Sequence, residues 1–104
     1  MKQDNEIMRI KVMADFECWP LWWHPDYDIG NVDPETLGLS PALCNDLTQW
    51  AAKFDAIVDR DDPTSPAFAT VADEEEFHQQ GRVLTARLQG ELAKVAIVRY
   101  RNED

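Results

Sequence analysis

The chain has 104 residues, room for one domain and no second independent core. Apolar residues make up 44% of it and charged residues 29%, a globular composition that argues against disorder outside the ends. Twenty Asp and Glu against ten Lys and Arg leave a formal net charge of −10, which repels nucleic acid and disfavours an anionic membrane surface. A basic macromolecule gains from such a field, through faster encounter and rejection of wrong partners, although acidity can also serve solubility alone. Cys18 and Cys44 are the only cysteines, too few for a disulfide scaffold, so a reduced, cytoplasmic setting is expected. The polar start lacks the apolar run of a signal peptide, and no apolar stretch approaches a membrane span.

Residues 1–7 read as a flexible extension before a single domain over residues 8–101, with 102–104 frayed; either Met1 or Met8 could be the native start. Residues 7–14 alternate, with Met8, Ile10, Val12 and Ala14 against Arg9 and Lys11, which predicts a strand with one buried face. Residues 15–39 are aromatic and punctuated by Pro20, Pro25, Gly30, Pro34 and Gly38, so they read as a long connection. Connections of this length in compact domains usually carry function or pack through their own side chains.

Ser40-Pro41 predicts a helix start, with Ser at the N-cap and Pro at the first helical position. Leu43, Leu47, Trp50, Phe54 and Ile57 or Val58 then recur at helical spacing. Residues 59–70 read as a loop anchored by Phe68. A second helix is predicted from Asp73, because Asp73 and Glu76 make a capping-box pattern and residues 73–76 set negative charge against the helix dipole. Its inward stripe is Phe77, Gly81, Leu84, Leu88 and Leu92; Gly81 implies a close approach, and Gly90 a weakened last turn. Residues 95–101 alternate again and predict a closing strand.

The order strand, loop, helix, helix, strand gives an α+β fold, with a small sheet and two amphipathic helices on one of its faces. Two strands alone are marginal, so a further short strand is expected from the Trp-rich segment, unless a second copy completes the sheet.

The search for reactive chemistry finds no phosphate loop, zinc-protease, EF-hand or nucleophile-elbow motif. His24 and His78 are the only histidines, and His78 is expected on an exposed helical position; a small enzyme using either with a carboxylate is one alternative. Cys18, His24 and Cys44 are scattered singly, unlike the paired ligands of structural zinc sites, so neither a metal nor a cofactor is expected. Cys44 reads as a small buried hydrophobe.

Residues 15–28 are richer: Phe16, Trp19, Trp22, Trp23 and Tyr27 share this stretch with Asp15, Glu17, Asp26 and Asp28. Trp and Tyr are over-represented among interface hot spots, and carboxylates pair with Arg and Lys across interfaces. Such a loop could occupy a nucleic-acid-binding cleft, with rings in place of bases and carboxylates in place of phosphates. Trp19, Leu21 and Trp22 could instead fold beneath the loop. The partner-binding residues expected are Trp23, Asp26, Tyr27 and Asp28, with Asp59, Asp61, Asp62, Glu74 and Glu75 adding to the field.

The stretch 8–22, MRIKVMADFECWPLW, resembles the opening of a family of small acidic bacterial proteins, some similar to the immunity proteins of contact-dependent growth inhibition loci. The likeness continues in residues 30–34, 47–56 and 61–63. It implies a cytoplasmic, non-enzymatic antidote that binds the C-terminal toxin domain of a delivered effector, often a ribonuclease, by covering its cleft. It carries no catalytic residues to this chain. A homodimer or regulatory subunit that uses an open strand edge is the remaining alternative.

Overall fold

A computed structural model describes residues 7–15, 17–23, 30–59, 62–66 and 68–101, with backbone only for residues 58, 59 and 62–66. Its elements are β1 (Met8–Val12), β2 (Leu21–Trp23), β3 (Asn31–Val32), α1 (Pro41–Ile57), β4 (Val58–Asp59), β5 (Asp62–Pro66), α2 (Val71–Leu92) and β6 (Ala96–Tyr100). Short 3-10 turns precede α1 at Pro34–Leu37 and follow α2 at Ala93–Val95. The fold is α+β, as the order of elements predicts.

The main sheet runs β3-β2-β1-β6. β1 pairs antiparallel with β2, Val12 opposite Leu21 and Ile10 opposite Trp23, and parallel with β6, Met8 opposite Ala96 and Val12 opposite Tyr100. The Trp-rich segment therefore supplies two short strands. With a period of two, this register sends Ile10, Val12, Leu21, Trp23, Val32, Ala96, Val98 and Tyr100 to the helix side. Arg9, Lys11, Trp22, Asn31, Ile97 and Arg99 take the other face. Lys11 is buried there, as is Trp22, whose indole Nε1 donates to Met13 O at 2.9 Å.

Both helices contribute to one apolar cluster with the helix-side face. From α1 come Leu43, Leu47 and Trp50, and from α2 Phe77, Leu84, Leu88 and Leu92, the spacing read in the sequence. Trp50 joins the helices: its ring stacks on Phe77 at 4.6 Å, and its Nε1 donates to Phe77 O at 3.0 Å. Gly81 meets that cluster at its tightest point, since a Cβ built there would lie 2.3 Å from Tyr100 Cε1 and 2.7 Å from Trp50 Cζ2. The close approach expected at Gly81 is a tyrosine ring.

Several local expectations give way. α2 begins at Val71, because Thr70 rather than Asp73 is the N-cap: the Thr70 hydroxyl accepts from the Asp73 N–H at 3.0 Å. Asp73 is thus an acidic residue inside the first turn, where the helix dipole favours it. Gly90 does not weaken the end, and α2 continues to Leu92. Ala93 ends it with φ 51° and ψ −123°, a positive-φ conformation that strains an L-residue. Residues 59–70 are not all loop, since β4 and β5 pair antiparallel as a separate two-stranded ribbon. The strands are also shorter than the alternating patterns that announce them.

Candidate functional site

The turn between β1 and β2 displays a side chain that the sequence places under the fold. Three backbone ties shape it: Met13 N–H donates to Pro20 O at 2.9 Å, Cys18 N–H to Asp15 O at 3.3 Å, and Glu17 N–H to Asp55 Oδ1 of α1 at 2.9 Å. Glu17 takes φ 56°, sparsely populated for a non-glycine residue. Such strain persists only where the surroundings enforce it. Here the enforcing contact is the bond to Asp55.

Trp19 follows on a clamped backbone. Its N–H donates to Asn31 Oδ1 at 3.1 Å, and its carbonyl accepts from Asn31 Nδ2 at 2.7 Å. The same Nδ2 donates to Leu21 O at 3.0 Å, so one β3 side chain fixes the backbone on both sides of Pro20. Pro20, fully buried, pins the next position. The Trp19 side of the chain faces out, with the residue 48% exposed. A rigid backbone that presents an exposed ring loses little entropy when the ring is covered by a partner.

Carboxylates surround this ring's neighbour. Burial and then the charges of Asp15, Asp55 and Glu17, in that order, push the Cys18 thiol above its usual pKa. Asp15 and Glu17 are exposed and Asp55 is half-buried. Three carboxylates thus act on the residue that precedes Trp19.

A second acidic surface adjoins the first. Asp73, Glu74, Glu75 and Glu76 are all exposed at the start of α2. Between the two lies a hollow of about 240 Å3, lined by Met13, Ala14, Phe54, Phe68, Phe77 and Tyr100, with Glu74 and Arg101 also contributing. Met13 and Ala14 lead directly into Asp15, and Phe54 precedes Asp55, so the hollow connects the turn to the start of α2. His78 also lines it and is half-buried, not exposed as expected: a 2.6 Å hydrogen bond joins its Nδ1 to the Tyr100 hydroxyl. Its Nε2 stands 4.0 Å from Glu74.

The residues expected to bind a partner are distributed unevenly. Trp23 is half-buried against the core, because its register opposite Ile10 turns it to the helix side. Asp26, Tyr27, Asp28 and Asp61 lie outside the described residues, as does His24. Asp59 and Asp62 pair with each other as backbone in the ribbon. Glu74 and Glu75 are exposed, Glu74 on the rim of the hollow. Trp19, Asp15, Glu17 and Asp55 are what sequence reasoning missed as a group. The parity of three successive side chains decides the matter: Leu21 and Trp23 turn to the helices and Trp22 to the opposite face. That parity depends on register, which alternation within β2 does not reveal.

Neither Cys18 nor Cys44 forms a disulfide, and both are half-buried. Cys44 is thus not the buried hydrophobe expected; burial, then Glu35, Glu91 and Asp33, raise its thiol pKa. Among the described residues no group of three or more His, Cys, Asp or Glu could hold a metal ion. Among them, no helix is long and apolar enough to cross a membrane.

A search of curated proteins found no match to this chain. A family does match, over residues 8–103, from the first strand to beyond the last. The chain belongs to the Serratia CdiI immunity protein-like family.

Proposed function

We propose that this protein neutralises a basic toxin domain, a nuclease of a contact-dependent growth inhibition system, by seating the β1–β2 turn and the acidic start of α2 over the toxin's cleft. The family supplies the immunity role and the toxin as partner. The observation that carries the rest is Trp19, exposed on a backbone held from both sides by Asn31 and flanked by Asp15, Glu17 and Asp55. Carboxylates steer a cationic cleft toward the surface, and the ring supplies apolar area once the partner excludes water. A nuclease cleft is built to bind phosphates and bases, so acidic and aromatic groups together compete for it. The protein acts in the cytoplasm, by occlusion and without turnover.

The test uses a purified nuclease toxin domain of a contact-dependent growth inhibition effector as the candidate partner. Mixing should abolish nuclease activity at one-to-one stoichiometry, and association should slow steeply with added salt, because steering is screened over a Debye length of about 8–10 Å. Absence of binding at low ionic strength overturns the proposal. Inhibition without any salt dependence removes the electrostatic part and leaves the immunity role standing.

A further inference from the structure

β6 borders the main sheet, with β1 on its inner side. Beyond the end of β6, the Arg101 N–H donates inward to Val12 O at 2.7 Å. Backbone groups alternate sides along a strand, so those of Ala96 and Val98 turn outward. An outer edge of this kind is a template for another chain.

A side chain from α2 occupies it. Gln89 Nε2 donates to Ala96 O at 2.7 Å and to Ala93 O at 3.1 Å, while Gln89 Oε1 accepts from the Val98 N–H at 2.9 Å. A carboxamide offers the donor and acceptor of a peptide group. Gln89 therefore fills the donor and acceptor positions that a neighbouring strand would present to Ala96 O and the Val98 N–H.

We propose that Gln89 is a latch on this edge: closed, it keeps the chain a single copy, and withdrawn, it lets β6 pair antiparallel with β6 of a second copy. The sequence of β6 selects that occupant. Pairing centred on Val98 sets Arg99 opposite Ile97 and Tyr100 opposite Ala96, so no two arginines face each other and each large side chain meets an apolar one. A centred arrangement of this kind is the two-fold, self-complementary contact of a dimer. Val98, with outward groups, is the residue type that exchanges both bonds in an antiparallel pair, and its N–H is the group Gln89 holds. A basic strand fits less well, because Arg82 stands 5.6 Å over the Tyr100 ring beside this edge and Arg99 lies on it. The latch is thus a surface separate from the acidic turn.

The experiment compares the full chain with Gln89→Ala by sedimentation over a wide concentration range, with circular dichroism as the check on folding. The wild type should keep the monomer mass, and Gln89→Ala should approach twice that mass. Adding Ile97→Arg, which sets a cation opposite Arg99 of the copy, should return the mass to that of the monomer. In the wild type, the Gln89 side-chain amide protons should exchange with solvent about tenfold more slowly than those of a free glutamine. A folded, monomeric Gln89→Ala overturns the proposal, as does a dimer that survives Ile97→Arg. Should Gln89→Ala fail to fold, the wild-type exchange measurement decides: free-glutamine rates overturn the latch.

Discussion

The Glu91 carboxylate accepts two hydrogen bonds from Ser40, one from its backbone N–H at 2.8 Å and one from its hydroxyl at 2.6 Å. Ser40 is also the N-cap of α1, its Oγ accepting from Leu43 N–H at 3.2 Å. The last turn of α2 thus holds the first turn of α1 through one serine. These bonds, foremost the one from the hydroxyl, lower the Glu91 pKa below its usual value. A carboxyl whose folded pKa is depressed stabilises above its unfolded pKa, and that stabilisation is lost as pH falls through the folded value. Glu91→Gln should therefore lower Tm at neutral pH, and its deficit against wild type should shrink between about pH 5 and 3. Thermal melts across that range check it; a constant deficit contradicts the assignment.

Gly81→Ala sets a helix-propensity gain of about 1 kcal/mol against a methyl group forced into the Tyr100 and Trp50 rings. Overpacking costs about 1–3 kcal/mol, and both rings are buried and cannot swing into solvent. The net should be a loss of up to about 2 kcal/mol by urea denaturation, with the m-value unchanged. Any gain in stability would mean that the rings yield.

Trp19→Ala should leave Tm within a few degrees of wild type, since the residue is half exposed and outside the core cluster. Toxin affinity should fall by about 2 kcal/mol or more, roughly thirtyfold in Kd, mainly through faster dissociation. Asp15→Asn with Glu17→Gln should act differently, slowing association and flattening its salt dependence. Surface plasmon resonance separates the two patterns.

Asn31→Ala tests whether the clamp matters apart from the ring. It removes three hydrogen bonds that fix the Trp19 and Leu21 backbone and leaves Trp19 itself in place. Affinity should drop about fivefold to tenfold through the entropy of an unfixed turn, with association rate and salt dependence unchanged. An unchanged Kd would mean that the turn holds its shape without Asn31.

The helices were the legible part of this fold because their signals are local. The stripe Phe77, Gly81, Leu84, Leu88, Leu92 repeats at helical spacing whatever it packs against, and Ser40-Pro41 announces a start by itself. At Thr70 two caps compete within four residues, and the acidic run from Asp73 is the more conspicuous pattern although the Thr70 hydroxyl forms the bond. The ribbon of Val58–Asp59 with Asp62–Pro66 shows no alternation and carries Pro63 and Pro66, so composition speaks for a loop. The acidic turn was visible as a segment but not in its geometry. Which of Trp19, Trp22 and Trp23 emerges depends on pairing across strands, and Asn31 and Asp55 reach the turn from far along the chain.

One consequence concerns synthesis. Met8 pairs with Ala96, 88 residues later, so β1 stays without its second neighbour until almost the whole domain has left the ribosome. Closing a loop of that length costs about 4 kcal/mol in chain entropy, which only the finished sheet and its packed helices repay. A truncated polypeptide would carry the acidic turn on an incomplete scaffold, and a cell would be shielded only by molecules made to the end.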